Sequence, residues 1–216
     1  MMKKQRGAAI LVVLLILLVI TVLGITAVRM GLTSLTIATN SQVSALLFQS
    51  ADTGVVSFEQ RVTANPAAAA LPDGVIGPSL NAPGVETPYC FTKGDRLRAG
   101  GCVVGADGDF TSTRNAVLNQ VAVEVPAAAD GSPMRGVVLG TDLDRAGINS
   151  YRVNVYSTAV LPVFGAANEA ELNECLSNRP NDDSKDPAGI VTVTDCLTDE
   201  GAVFTSMAQE YNYGYN

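Results

Sequence analysis

The chain has 216 residues, 47% of them hydrophobic, with 14 basic residues, 21 acidic residues and no histidine. Its net charge is −7, and without Lys3, Lys4 and Arg6 the balance falls to 11 bases against 21 acids, or −10. That excludes the basic footprint of a nucleic-acid binder, since the Lys93, Arg96, Arg98 group is too loose to make one. The absence of histidine excludes Ser-His and Cys-His catalytic pairs.

The N-terminus carries three cations and then an uncharged run from Ala8 to Val28. The apolar core of a removable secretory signal is about 7–15 residues long. This one has 21 residues, about 31 Å as a helix, which matches a bilayer's hydrocarbon core. Thr21, Gly24 and Thr26 are its only interruptions, and membrane helices tolerate them. The charge asymmetry keeps the N-terminus cytoplasmic and exports the rest.

The helical pattern continues past Val28. Leu32, Leu35, Val43, Leu46, Leu47, Val55, Phe58 and Val62 fall mostly three or four apart and predict one apolar stripe. The first proline is Pro66, so Asn65-Pro66 reads as a helix stop. A single helix from Ala8 to about Thr63 follows, about 84 Å long. Between Arg29 and Asp52 it has no charge, which suits a helix surrounded by other helices better than one in water.

After Pro66, "NPAAAALPDGVIGPSLNAPGVETP" reads as a Pro/Gly/Ala connection. Strands are predicted over Ala116–Val125, Met134–Leu139, Tyr151–Leu161, Gly189–Thr194 and Ala202–Thr205. In the third, Tyr151, Val153 and Val155 share one face. Together they predict an antiparallel sheet with one buried face, covered by the second half of the long helix. The tail "EYNYGYN" places Tyr211, Tyr213 and Tyr215 at period two, as a terminal strand, a frayed end or a tyrosine-rich contact.

Cys90, Cys102, Cys175 and Cys196 follow an export-type N-terminus, which reads as disulfides in an oxidising compartment. Four cysteines allow three connectivities. The local one, Cys90–Cys102 with Cys175–Cys196, is expected because near neighbours meet at least entropic cost. Without Cys-x-x-Cys or histidine a zinc site is not expected. Asp107 and Asp109, and Asp182, Asp183 and Asp186, offer oxygen ligands for calcium, but neither cluster has EF-hand spacing. No phosphate loop matches, no carboxylate pair stands out, and neither an enzyme nor a cofactor is expected.

A short basic leader ending in Gly7, followed by an apolar segment that opens a long helix, resembles the N-terminus of type IV pilins and of type II secretion pseudopilins. More specifically, "RGAAILVVLLILLVITVLGITAV" with "ATNSQVSALLFQSADTGVVSFE" is similar to PilX-type minor pilins. The resemblance covers residues 3–60. It implies an α+β pilin-like fold, with a leader at 1–7, a membrane and filament-core helix at 8–29, its amphipathic continuation at 30–64 and an outward β-rich domain at 65–216. It also implies cleavage by a prepilin peptidase between Gly7 and Ala8, methylation of Ala8, and residence in the inner membrane before the pilus. The partners implied are other minor pilins, the major pilin and the inner-membrane assembly machinery. The disulfide-bounded segment 175–196 resembles a pilin loop that is often an interaction surface. One departure stands out: most pilins carry Glu five residues after the cut, and here that position is Val12. The resemblance reads this as a subunit at the filament tip that primes assembly. Two alternatives remain: a type II secretion pseudopilin lacking the Glu, although the known one is larger, and a bitopic membrane protein with a periplasmic binding domain.

Overall fold

The computed structural model describes residues 6–94, 96–106, 108–111, 115–127, 149–181 and 191–215. Two compact units divide after Ala45, within the long N-terminal helix α1 (Arg6–Ala64, 59 residues).

In the first unit α1 is the described element. Its large apolar residues from Ile10 to Ile37 are exposed. Leu32 and Leu35, expected on the apolar stripe, are among these exposed residues.

In the second unit the last five turns of α1 do have a buried face. Leu47, Ala51, Val55, Phe58 and Val62 are buried, at the three- and four-residue spacing that lines up one side of a helix. Leu46, which the sequence pattern places on the same stripe, is exposed. At the end of α1 the Asn65 side chain caps α2 (Pro66–Ala69) by accepting from the Ala68 N–H at 3.2 Å. Proline here lacks only an N–H that the first turn leaves unpaired anyway. A second short helix, α3 (Gly77–Asn81), leads into the sheet.

The sheet has five strands: β1 (Thr87–Thr92), β2 (Arg96–Ala99), β3 (Leu118–Glu124), β4 (Asn149–Gly165) and β5 (Ala202–Tyr215). Their order is β2-β1-β3-β4-β5, with every neighbour antiparallel. This is an α+β pilin-like architecture, as the sequence implies. Two helices, α4 (Glu169–Asn178) and α5 (Val193–Asp199), fall between β4 and β5 in sequence.

Both sheet faces are covered, where one was expected. All seven residues of β3 are buried. Val121, Val123, Val153 and Val155 pack with Phe58, Val62 and Ile76 on the α1 side. On the other side Leu118 and Val160 pack with Leu172, Leu176, Val193 and Leu197 of the two short helices. These helices supply the second cover.

The expected strand over Gly189–Thr194 is corrected at its end. Thr192 caps α5, its hydroxyl accepting from the Asp195 N–H, so Val193 and Thr194 begin a helix. The β-branched run concealed this cap. The expected strand at Met134–Leu139 lies outside the described residues. β5 extends far beyond Thr205 and takes the tyrosine tail into the sheet, with Tyr213 opposite Tyr151. The described strand edges are Leu118 and Glu124 for β3, inside the expected Ala116–Val125, and β1 and β2 were not anticipated.

Candidate functional site

Three parts of the molecule carry the residues singled out by the sequence. The first is the exposed half of α1. Gly7 and Ala8 fall in its first turn, and Val12 is 57% exposed among neighbours that are all apolar. From Ile10 to Ala51 the single charged residue is Arg29. The threonine hydroxyls of this stretch bond back to the helix. Thr21 donates to the Leu18 carbonyl at 2.8 Å and Thr26 to that of Leu23 at 2.9 Å. Thr33, Thr36 and Thr39 do the same four residues back. A hydroxyl without a partner is costly in an apolar surrounding, and these bonds leave methyl groups on the surface. The helix is long and apolar enough to cross a membrane.

The second part is the seam that fixes α1 on the sheet. The Asn119 amide donates to the Ser50 carbonyl at 2.5 Å, and the Ser157 hydroxyl to the Ala51 carbonyl at 2.8 Å. Asn119 also accepts from Ser157 at 3.0 Å. Those carbonyls already serve the helix ladder, so the sheet adds a second donor to each. Gly54 makes the approach possible: a Cβ there would lie 2.6 Å from both Asn119 Nδ2 and Ser157 Oγ. The helix therefore cannot slide or roll without breaking buried polar contacts. Residues 50 and 119, and 51 and 157, are too far apart in sequence for any local pattern to reveal this seam.

The third part is the disulfide-braced layer. Cys90 is joined to Cys102 and Cys175 to Cys196. Gln120 bridges the two regions, accepting from the Cys102 N–H at 3.1 Å and donating to the Leu176 carbonyl at 2.6 Å. The Val104 N–H donates to Asn173 of α4 at 2.7 Å. Glu86 holds Asn181 through its backbone N–H and its amide, at 2.8–2.9 Å. The stems of the segment between α4 and α5 are joined by the Val193 N–H donating to the Pro180 carbonyl at 2.9 Å.

Of the carboxylates considered for calcium, Asp109 is buried and engaged. It pairs with Arg98 at 2.6 Å and accepts from the Val103 N–H at 2.8 Å. Asp107, Asp182, Asp183 and Asp186 lie outside the described residues. Among the described residues no cluster of three metal-ligating side chains forms. The loose basic group is partly tied down too, since Lys93 donates to Asn115 and Arg98 to Asp109.

A cleft of about 210 Å³ opens between the end of α1 and β5, lined by Phe58, Glu59, Val62, Ile76, Tyr211 and Tyr213 among others. Tyr213 donates to the Pro66 carbonyl. The Tyr211 ring lies 6.1 Å from Phe58. Its phenol is pushed up to about 12, first by burial and then by the Glu59 and Asp52 carboxylates. Tyr89 reaches about 12 through burial alone.

Residues 6–56 match the family model described as PilX N-terminal. Over this segment the chain is similar to PilX-type pilins. The match takes in the exposed half of α1 and its first buried turns, and stops short of Phe58. No curated protein and no solved structure matches the chain. The β-rich part of the chain is thus described by its own geometry alone. The pilin family is one of structural subunits that assemble into pili, which accords with an apolar anchor helix and a disulfide-braced sheet.

Proposed function

We propose that this pilin is a minor subunit that helps prime assembly of a type IV pilus and sits at or near its tip. Its leader, residues 1–7, is removed between Gly7 and Ala8, and the new N-terminus is methylated. Residues 8–29 hold the precursor in the inner membrane, N-terminus inward, and then join the helical core of the filament. Residues 30–64 continue that helix. Residues 65–216 face outward, and their work is contact with other minor pilins and the major pilin, without catalysis.

The observation that carries tip placement is Val12. Cleavage creates an α-amine whose ordinary pKa is about 7.7–8.0, so it is mostly charged at neutral pH. A cation in an apolar core is costly unless paired. The chain has no acid before Asp52, and Val12, where most pilins carry Glu, presents only an exposed apolar side chain. This subunit therefore cannot neutralise the amine of a subunit above it. A subunit with nothing above it has no such task.

The test is Val12→Glu, followed by site-specific crosslinking in assembling cells. The variant should still insert in the membrane, but gain crosslinks to a subunit on its distal side. Unchanged partners and unchanged pilus number would remove the basis for tip placement.

A further inference from the structure

Arg29 is the one charged residue of α1 between Ile10 and Ala51. It is exposed, and among the described residues no acid pairs with it. Ile25, Thr26, Leu32 and Thr33 lie three and four residues away, beside it on one helix face. Ile25 and Leu32 are apolar and exposed. The Thr26 hydroxyl donates to the Leu23 carbonyl and the Thr33 hydroxyl to the Arg29 carbonyl, both at 2.9 Å. The guanidinium thus has several donors and no anion on its own helix.

An arginine keeps its charge at any physiological pH. Unlike a lysine, it cannot enter an apolar surrounding by releasing a proton. In the membrane Arg29 meets no such difficulty. It directly follows the uncharged run Ala8–Val28, whose length matches a bilayer core, so headgroups and water at the outer boundary solvate it. A helix that leaves the bilayer to pack among other helices loses that solvation. Packing then leaves an uncompensated charge unless a carboxylate is at hand. A second copy of this chain does not supply one at that level. The chain has no acid before Asp52, so a copy alongside sets Arg29 against Arg29 or against uncharged residues, which is unfavourable.

We propose that in the pilus Arg29 pairs with a carboxylate on the apolar helix of a different subunit, packed at its level. The guanidinium fork donates two parallel bonds to a carboxylate, which fixes register as well as charge. The pair selects the neighbour: a helix with an acid at that level is admitted and another copy of this chain is disfavoured. The inference rests on the reading of the chain as a pilus subunit, and does not depend on tip placement.

The experiment compares the unaltered chain with Arg29→Lys, Arg29→Gln and Arg29→Leu in cells that assemble pili. The quantity measured is the chain in sheared pili against the chain in membranes. Glutamine and leucine should each lower that ratio by about tenfold or more, because the partner's acid is left unpaired. Lysine should keep most of it. In pili that carry Arg29→Lys, a zero-length carbodiimide joins an amine only to a carboxylate in contact. It should link the substituted lysine to an acid of another subunit, read by mass spectrometry of the linked peptides. Glutamine and leucine variants that enter pili as the unaltered chain does overturn the proposal. So does a lysine variant that fails to enter or gives no link, or one linked to Asp52 or Glu59 of a second copy. Equal loss from membranes and pili also overturns it, leaving Arg29 as a membrane anchor alone. Absence of the unaltered chain from pili is a distinct result, which removes the pilus reading and this inference with it.

Discussion

Gly54→Ala is the sharpest test of how α1 is fixed on the sheet. In an exposed helix this change stabilises by about 1 kcal/mol, because alanine restricts the unfolded chain more than glycine does. Here the new Cβ would lie 2.6 Å from Asn119 Nδ2 and Ser157 Oγ, and 3.1 Å from Val121 Cγ2. Both polar groups must retreat, and both are buried. Retreat removes their bonds to the Ser50 and Ala51 carbonyls. Stranding a buried polar group costs about 1–3 kcal/mol, so the pair costs about 4 kcal/mol at mid-range. Subtracting the gain in helix propensity leaves a net destabilisation of about 3 kcal/mol. For a chain of this size that lowers the melting temperature by roughly 6–12 °C. The assay is thermal unfolding of the full chain in detergent, followed by near-ultraviolet circular dichroism. Adding Asn119→Ala and Ser157→Ala removes the atoms in the way, so the three changes together should cost less than their sum. If Gly54→Ala alone were neutral or stabilising, the close approach of helix and sheet would be wrong.

Two further predictions concern the bonds and phenols of the second unit. All four cysteines are buried, so thiol-labelling after mild reductant should remain negligible until denaturant is added. Replacing Cys90 and Cys102 together, or Cys175 and Cys196 together, by serine should each cost about 3 kcal/mol from the loops of 12 and 21 residues they close. The phenols of Tyr89 and Tyr211 ionise near pH 12 when folded, against 10 for an ordinary tyrosine. A raised value favours the neutral form in the native state, so its stabilisation is complete below pH 10 and is lost as pH rises from 10 to 12. Stability should fall over that window, and Tyr211→Phe should weaken the fall. Spectroscopic titration of the Tyr89→Phe and Tyr211→Phe chains should each lack one late-ionising phenol. Loss of an ordinary phenol titrating near 10 instead would contradict the burial.

The sequence makes the helix legible because its signals are local. An uncharged run, a three-and-four spacing and the Asn65-Pro66 stop each depend on neighbours, and α1 ends at Ala64 as they indicate. Tyr151, Val153 and Val155 likewise announce their alternation, and Val153 and Val155 are buried. What escapes depends on distant partners. The Ser157 bond to Ala51 and the Asn181 bond to Glu86 each join residues far apart in sequence, and neither end has a signature of its own. The second buried face was hidden for a related reason. Leu118, Gln120, Ala122 and Glu124 mix apolar and polar types, so β3 reads as half-exposed, until Gln120 is seen to be used up between Cys102 and Leu176. Thr192 shows a third limit: a cap and a strand residue look alike when the flanking residues are β-branched.

The proposed processing of this chain places its mature start at a single bond, between Gly7 and Ala8. Intact mass and N-terminal sequencing by mass spectrometry, on protein recovered from pili and membranes, tests it most directly. The account predicts a chain that begins at Ala8 and carries one methyl group on its α-amine. A chain that begins at Met1 or Met2 in assembled material would contradict it.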